Sequence, residues 1–87
     1  MDAEVFTVRD AAADRFLTPF FSDTVETALR QFKEACLSPE HQFHRFPEDY
    51  VLYHIGTFRG ETGEIEAWDP HKLLNATSVL STKTEVV

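Results

Sequence analysis

The sequence predicts a small α+β domain of ββαββ order, with one helix packed on a four-stranded, mainly antiparallel sheet. Three observations lead there. Four short runs are rich in β-branched and aromatic residues, one stretch between them has helical periodicity, and 87 residues leave room for a single core.

Residues 4–9 read E-V-F-T-V-R and predict a first strand. Residues 10–14 are a polar and alanine linker, short enough for a hairpin. Residues 15–21, R-F-L-T-P-F-F, predict a second strand antiparallel to the first. Pro19 cannot donate to a ladder, so this strand should lie at an edge or stop there.

The helix is predicted over residues 24–37. Ser22, Asp23 and Thr24 are all N-cap residues, and Asp23 with Glu26 has capping-box spacing. Val25, Ala28, Leu29, Phe32 and Cys36 fall on one stripe, while Glu26, Arg30, Lys33 and Glu34 face water. Pro39 ends the run, because the residue before a proline avoids the α region. Residues 38–49 form a long polar connection whose Phe43 and Phe46 predict that it folds over the core.

Residues 50–58, Y-V-L-Y-H-I-G-T-F, are the strongest strand signal. Tyr50, Leu52 and Phe58 alternate with Val51, Tyr53 and Ile55, so both faces are greasy. That pattern suits a central strand covered by the helix on one side and by a further layer or subunit on the other. A glycine-bearing turn over residues 59–63 leads to a fourth strand at residues 64–68. Asp69-Pro70 is expected to end the ordered pattern. The chain thus divides into a domain at residues 1–69 and a tail at residues 70–87, mobile or docked on a partner subunit through Leu73, Leu74, Val79 and Leu80.

Fifteen acids against eight bases give a net charge of −7. An acidic chain gains nothing from counterion release unless its bases gather on one face, which disfavours nonspecific DNA or anionic-membrane binding by the molecule as a whole. A cationic or protein partner fits more easily. Eight Phe, two Tyr and one Trp are many rings for this length. They supply core, and they leave apolar surface that a homodimer would cover. Cys36 is the only cysteine, so no intrachain disulfide or cysteine zinc site can form. That suits a reducing host cytoplasm. Met1 to Glu4 run into no apolar stretch and do not resemble a signal peptide, and no apolar run is long enough to span a bilayer.

No constellation carries chemistry convincingly. His41 and His44 have turn spacing for a metal, with His54 and His71 as further ligands, but a closed zinc site needs four that converge. Adjacent Glu48 and Asp49 lack a second acid across a cleft and more simply start a strand from a turn. Gly56 has no glycine-rich phosphate loop around it and reads as a bulge or close backbone approach. Cys36 lies on the apolar stripe of the helix, as a small core residue does. The expectation is no catalytic residue, no cofactor, no metal and no enzyme.

Several segments together resemble the small nonstructural protein of gokushoviruses, the Microviridae subgroup of single-stranded-DNA phages that includes the chlamydia phages. They are V-F-T-V-R-D (residues 5–10), P-F-F-S (19–22), A-L-R-Q-F (28–32), H-Q-F-H-R-F-P-E-D-Y-V-L-Y-H-I-G-T-F (41–58) and T-G-E-I (62–65). They fall in family order over about residues 4–68. Arg59 departs from the pattern, which leads one to expect an acid after G-T-F. The resemblance implies a protein that acts in viral DNA synthesis or packaging by binding. By analogy, it resembles the phiX-type protein that switches the replication complex from duplex synthesis to single-strand packaging.

Two binding modes are therefore expected. The first is a homodimeric adaptor to phage or host replication and packaging proteins, with Tyr50, Leu52, Phe58 and Trp68, or the tail, at the interface. The second is a single-stranded-DNA binder with a basic-aromatic strip of Arg9, Arg15, Arg45, Tyr53, His54 and Arg59, which Glu48 and Asp49 interrupt.

Overall fold

The computed structural model describes residues 1–84, with side chains through Ser81. The strands are β1 (Ala3–Asp10), β2 (Arg15–Phe16), β3 (Phe20–Ser22), β4 (Tyr50–Phe58) and β5 (Ile65–Asn75). The helices are α1 (Val25–Leu37), α2 (Gln42–Arg45) and α3 (Ala76–Thr84), and a 3-10 turn, Pro47–Asp49, precedes β4. The fold is α+β, and every strand pairing is antiparallel. The sheet runs β2-β1-β4-β5, and β3 shares the outer edge of β1 with β2.

The first hairpin turns on its aspartates. Asp10 Oδ1 accepts from the backbone N–H groups of Ala12 and Ala13 at 3.1 and 3.2 Å. Asp14 takes φ +56°, a left-handed conformation that aspartate tolerates better than most residues. The second strand expected over residues 15–21 is instead two short pieces. Leu17-Thr18-Pro19 leaves the ladder between them, because proline has no N–H to give it. A backbone tie remains there: the Leu17 N–H donates to Val8 O at 2.8 Å.

Thr24, not Asp23, caps α1: its hydroxyl accepts from the Thr27 N–H at 3.0 Å. Ala28, Phe32 and Cys36 are buried and Val25 and Leu29 pack beside them, so the predicted stripe is the packed one. The connection after α1 does fold over the core, but through one ring. Phe43 is buried between Phe32 and Tyr50, with centroids at 5.4 and 4.6 Å, while Phe46 stays exposed.

The C-terminal segment departs furthest from expectation. β5 runs straight through the expected boundary at residue 69 and on to Asn75. His54 pairs with His71 and Gly56 with Ala67, so one β4 residue, Ile55, faces Trp68, Asp69 and Pro70 in a bulge. Pro70 is tolerated because it sits in that bulge on an edge strand. The chain then turns into α3, whose Ala76 and Val79 are buried in this chain's own core. The described part of the tail is thus a strand and a docked helix. Residues 85–87 lie outside the described residues. Among those described, no helix is long and apolar enough to cross a membrane.

Candidate binding face

Alternation in β1 sorts the sheet into two faces. Phe6 and Val8 enter the core under the helices, so Val5, Thr7 and Arg9 point to the other side. Cross-strand partners share a face, so the register carries the assignment over the sheet. β2 and β3 bring Phe16 and Phe21 to the open face. β4 brings Tyr53 and Phe58, and β5 brings Ile65, Ala67 and Lys72.

Among the described residues, no helix covers that face. Phe16, Phe21 and Ile65 are 42%, 51% and 57% exposed. The rings stand in two edge-to-face pairs: Phe16 with Tyr53 at 5.3 Å and Phe21 with Phe58 at 6.1 Å. Between them lies a shallow groove of about 340 Å³, walled by Phe16, Leu17, Pro19, Ile55, Ala67 and Trp68 among others. Val5 and Thr7 are nonetheless buried at the centre of this surface. Thr7 satisfies its hydroxyl by donating to Leu17 O at 2.6 Å.

Charge is sorted as sharply as burial. At paired positions the helix side carries Glu4, Asp10 and Glu66, whereas the open side carries Arg9 and Lys72 and no carboxylate. Asp14, in the first hairpin turn, and Asp69, in the β5 bulge, lie at its margins. The Arg9 guanidinium sits 5.3 Å from the Phe16 ring centroid and pairs with the exposed Asp14 carboxylate.

The residues expected in a basic-aromatic strip are not all brought together. Arg9 and Tyr53 are on the open face. Arg15 pairs in register with Asp10, on the helix side of the sheet end. Arg45 is on α2, 5.5 Å from the Phe46 ring. His54 is on the helix side, stacked on Phe6 at 4.9 Å, edge-on to Trp68 at 5.0 Å and 2.8 Å from Glu4 Oε1. Arg59 bonds Asp2 at 3.3 Å and Glu66 at 2.7 Å, and these bonds push its pKa further up. The acid expected after G-T-F is thus replaced by a cation that holds two acids from neighbouring segments.

The expected interface set divides in two. Tyr50 and Leu52 are 5% and 0% exposed in this chain's own core, so they cannot meet a partner. Their face is the helix face, because α1, α2 and α3 converge on that side of β4. Phe58 belongs to the open face, and Trp68 is exposed beside it at the bulge. Sequence reading missed Phe16, Phe21 and Lys72. The first two look like core strand residues, and Lys72 lay in the presumed tail.

The remaining chemistry-bearing side chains have structural partners. His41 Nδ1 accepts from the Phe43 N–H at 3.1 Å and caps α2. His44 Nδ1 lies 3.0 Å from Cys36 O. Glu48 and Asp49 form the 3-10 turn before β4, and Asp49 O accepts from the Ala11 N–H at 2.8 Å. Burial pushes the Cys36 thiol up to about 11. Burial, then the Asp10 and Asp49 carboxylates, push the Tyr50 phenol up. Among the described residues, no three His, Cys, Asp or Glu side chains converge as a metal site would require.

The model of a family described as Phage ORF5 protein matches residues 3–79. That span includes all five strands and the first turn of α3. No curated protein and no solved structure matches the chain.

Proposed function

We propose that this chain, which belongs to the Phage ORF5 protein family, acts by binding in viral DNA replication and single-stranded genome packaging, with the open face of its sheet as the working surface. The observation that carries the proposal is the sorting of side chains: rings and two cations on the uncovered face, carboxylates on the other. A face of exposed phenylalanines persists in a soluble chain when something covers it at work. The resemblance to the gokushovirus nonstructural protein supports the placing in replication and packaging. The reading needs no reaction.

The test is genetic. Phage carrying Phe21→Glu should make a folded protein, judged by circular dichroism, yet lose packaged single-stranded genomes while duplex replicative DNA accumulates. Wild-type yields of both DNA forms from a folded Phe21→Glu chain would remove the open face as the working surface.

A homodimeric adaptor remains the second reading, favoured by Phe58 and Trp68 beside the apolar groove. Sedimentation at high micromolar concentration would show the dimer. Replication proteins that co-purify from infected cells after nuclease treatment would show the adaptor.

A further inference from the structure

We propose that the ligand of the open sheet face is single-stranded nucleic acid, its bases stacked on the two ring pairs and its phosphates met by Arg9 and Lys72. The inference rests on the reading above that this face is the working surface. It adds what the face takes hold of.

Charge complementarity selects the ligand. In a chain of net charge −7, carboxylates would fall on both faces of the sheet if nothing excluded them. They stand at paired positions of the helix face alone, and at its own paired positions the open face keeps only cations, with Asp14 and Asp69 at its margins. A surface awaiting an apolar or cationic protein segment would not need to exclude acids. A surface awaiting phosphates does, because each carboxylate near the backbone path repels it at short range.

The rings are placed as stacking platforms are. Phe16 pairs with Arg9 and Phe21 with Val5, so the two ring pairs stand four β1 residues apart, about 13 Å at roughly 3.3 Å per residue. Phe16 and Phe21 keep about half their surface free, so each can take a base. Cations alternate with rings across the strands. Arg9 lies beside Phe16 in one row, and Tyr53 lies beside Lys72 in the next. The Arg9–Asp14 pair is a surface ion pair whose carboxylate is 87% exposed, so a phosphate can displace it.

These features also set the kind of binding. Ring faces accept any base, and the face presents no fixed row of donors and acceptors to read base edges, so sequence preference should be slight. Two phosphate contacts predict a shallow salt dependence, with a slope of log K against log salt of about −1.4 for a single strand.

The experiment uses the full chain, a labelled oligothymidylate, its oligoadenylate and oligouridylate counterparts, and a duplex of equal length, read by fluorescence anisotropy at low salt. The three single strands should bind with similar affinity and more tightly than the duplex. Phe16→Ala and Phe21→Ala should each weaken binding by roughly 5-fold to 150-fold, the worth of one stacked base, with unchanged circular dichroism. Lys72→Gln and Arg9→Gln should each flatten the salt slope by about 0.7. Arg45→Glu, on the helix side, should change nothing. Absence of single-strand binding at about 100 µM chain and low salt would overturn the inference, as would binding indifferent to Phe16 and Phe21. So would a dimer in sedimentation that Phe21→Ala dissolves, since a second copy would then occupy the face. If Phe21→Glu still abolishes packaging in that case, the working surface stands and only its ligand is wrong.

Discussion

Gly56→Ala should pry the second hairpin apart at one point. A Cβ built on Gly56 would sit 2.6 Å from Glu66 O and 3.3 Å from Ala67 Cα. Both are backbone atoms of the paired strand, so no side chain can swing away to make room. Relief requires β5 to move out by about 0.8 Å, at the point where the bulge already interrupts the ladder. Overpacking of this kind costs about 1–3 kcal/mol. In a domain of this size each kcal/mol lowers Tm by about 4–8 °C. Thermal unfolding followed by circular dichroism should therefore drop by about 5–20 °C. Amide exchange should quicken at Thr57 and Phe58 before it quickens at Val8 or Leu52. The control is Gly63→Ala. Gly63 has φ +80° with nothing within 4 Å of its added Cβ, so backbone strain alone should cost about 1–2 kcal/mol there. A Gly56→Ala chain as stable as wild type, with unchanged exchange in the hairpin, would refute the close approach of β4 and β5.

The buried positions give sharper contrasts. Leu52→Ala should cost about 2–5 kcal/mol in a denaturant titration, while Ile65→Ala on the open face should stay within about 1 kcal/mol; equal losses would place Leu52 at the surface after all. Thr24→Ala should cost about 1 kcal/mol by removing the α1 cap, whereas Asp23→Ala should cost less, and the reverse order in the same titration would move the cap. Native Cys36 should resist alkylation at mildly alkaline pH and react once denaturant is added; labelling at the free-thiol rate in the native state would contradict its burial. The Cys36 pKa is raised from 9.0 to about 11 and that of Tyr50 is raised from 10.0. Both groups are neutral when protonated, so their contribution to stability is complete below pH 9 and is lost as pH rises through the folded values. Denaturant midpoints should fall across that window, and a flat profile there would contradict the burial of both.

Much of the fold was legible because its signals are local. The α1 stripe and the β4 run each carry their periodicity within a dozen residues, and the structure places both where the pattern does; the first hairpin turns where expected, but its return strand breaks at Leu17-Thr18-Pro19. The losses have physical causes. Asp69-Pro70 reads as a stop because proline breaks a ladder, yet a bulge on an edge strand lets one through. α3 has no strong apolar stripe, so only packing against α1 reveals it. Two residues of the expected interface, Tyr50 and Leu52, were misplaced for one reason. Alternation says that two faces exist, but not which of them three helices will cover.

The same ambiguity explains the binding face. From the sequence, Phe16 and Phe21 are indistinguishable from Phe6, in the core, and Phe20, packed against it, which stack at 5.7 Å. What separates them is parity. Phe20 pairs with Phe6, and Phe21 pairs with Val5 one position along. A single register step therefore decides whether a ring is core or contact surface, and every charged neighbour moves with it. Glu4 follows Phe6 to the helix side, while Arg9 and Lys72 follow Thr7 and Tyr53 to the open side. A basic strip counted along the chain gathered Arg45, His54 and Arg59, which the fold disperses among ring stacks and carboxylates. Counted by strand parity instead, a chain of net charge −7 acquires a face whose paired positions hold no negative charge at all. The proposed nucleic-acid binding rests on that local exception to the global charge, through which an acidic protein would approach a phosphate backbone from one side and repel it from the other.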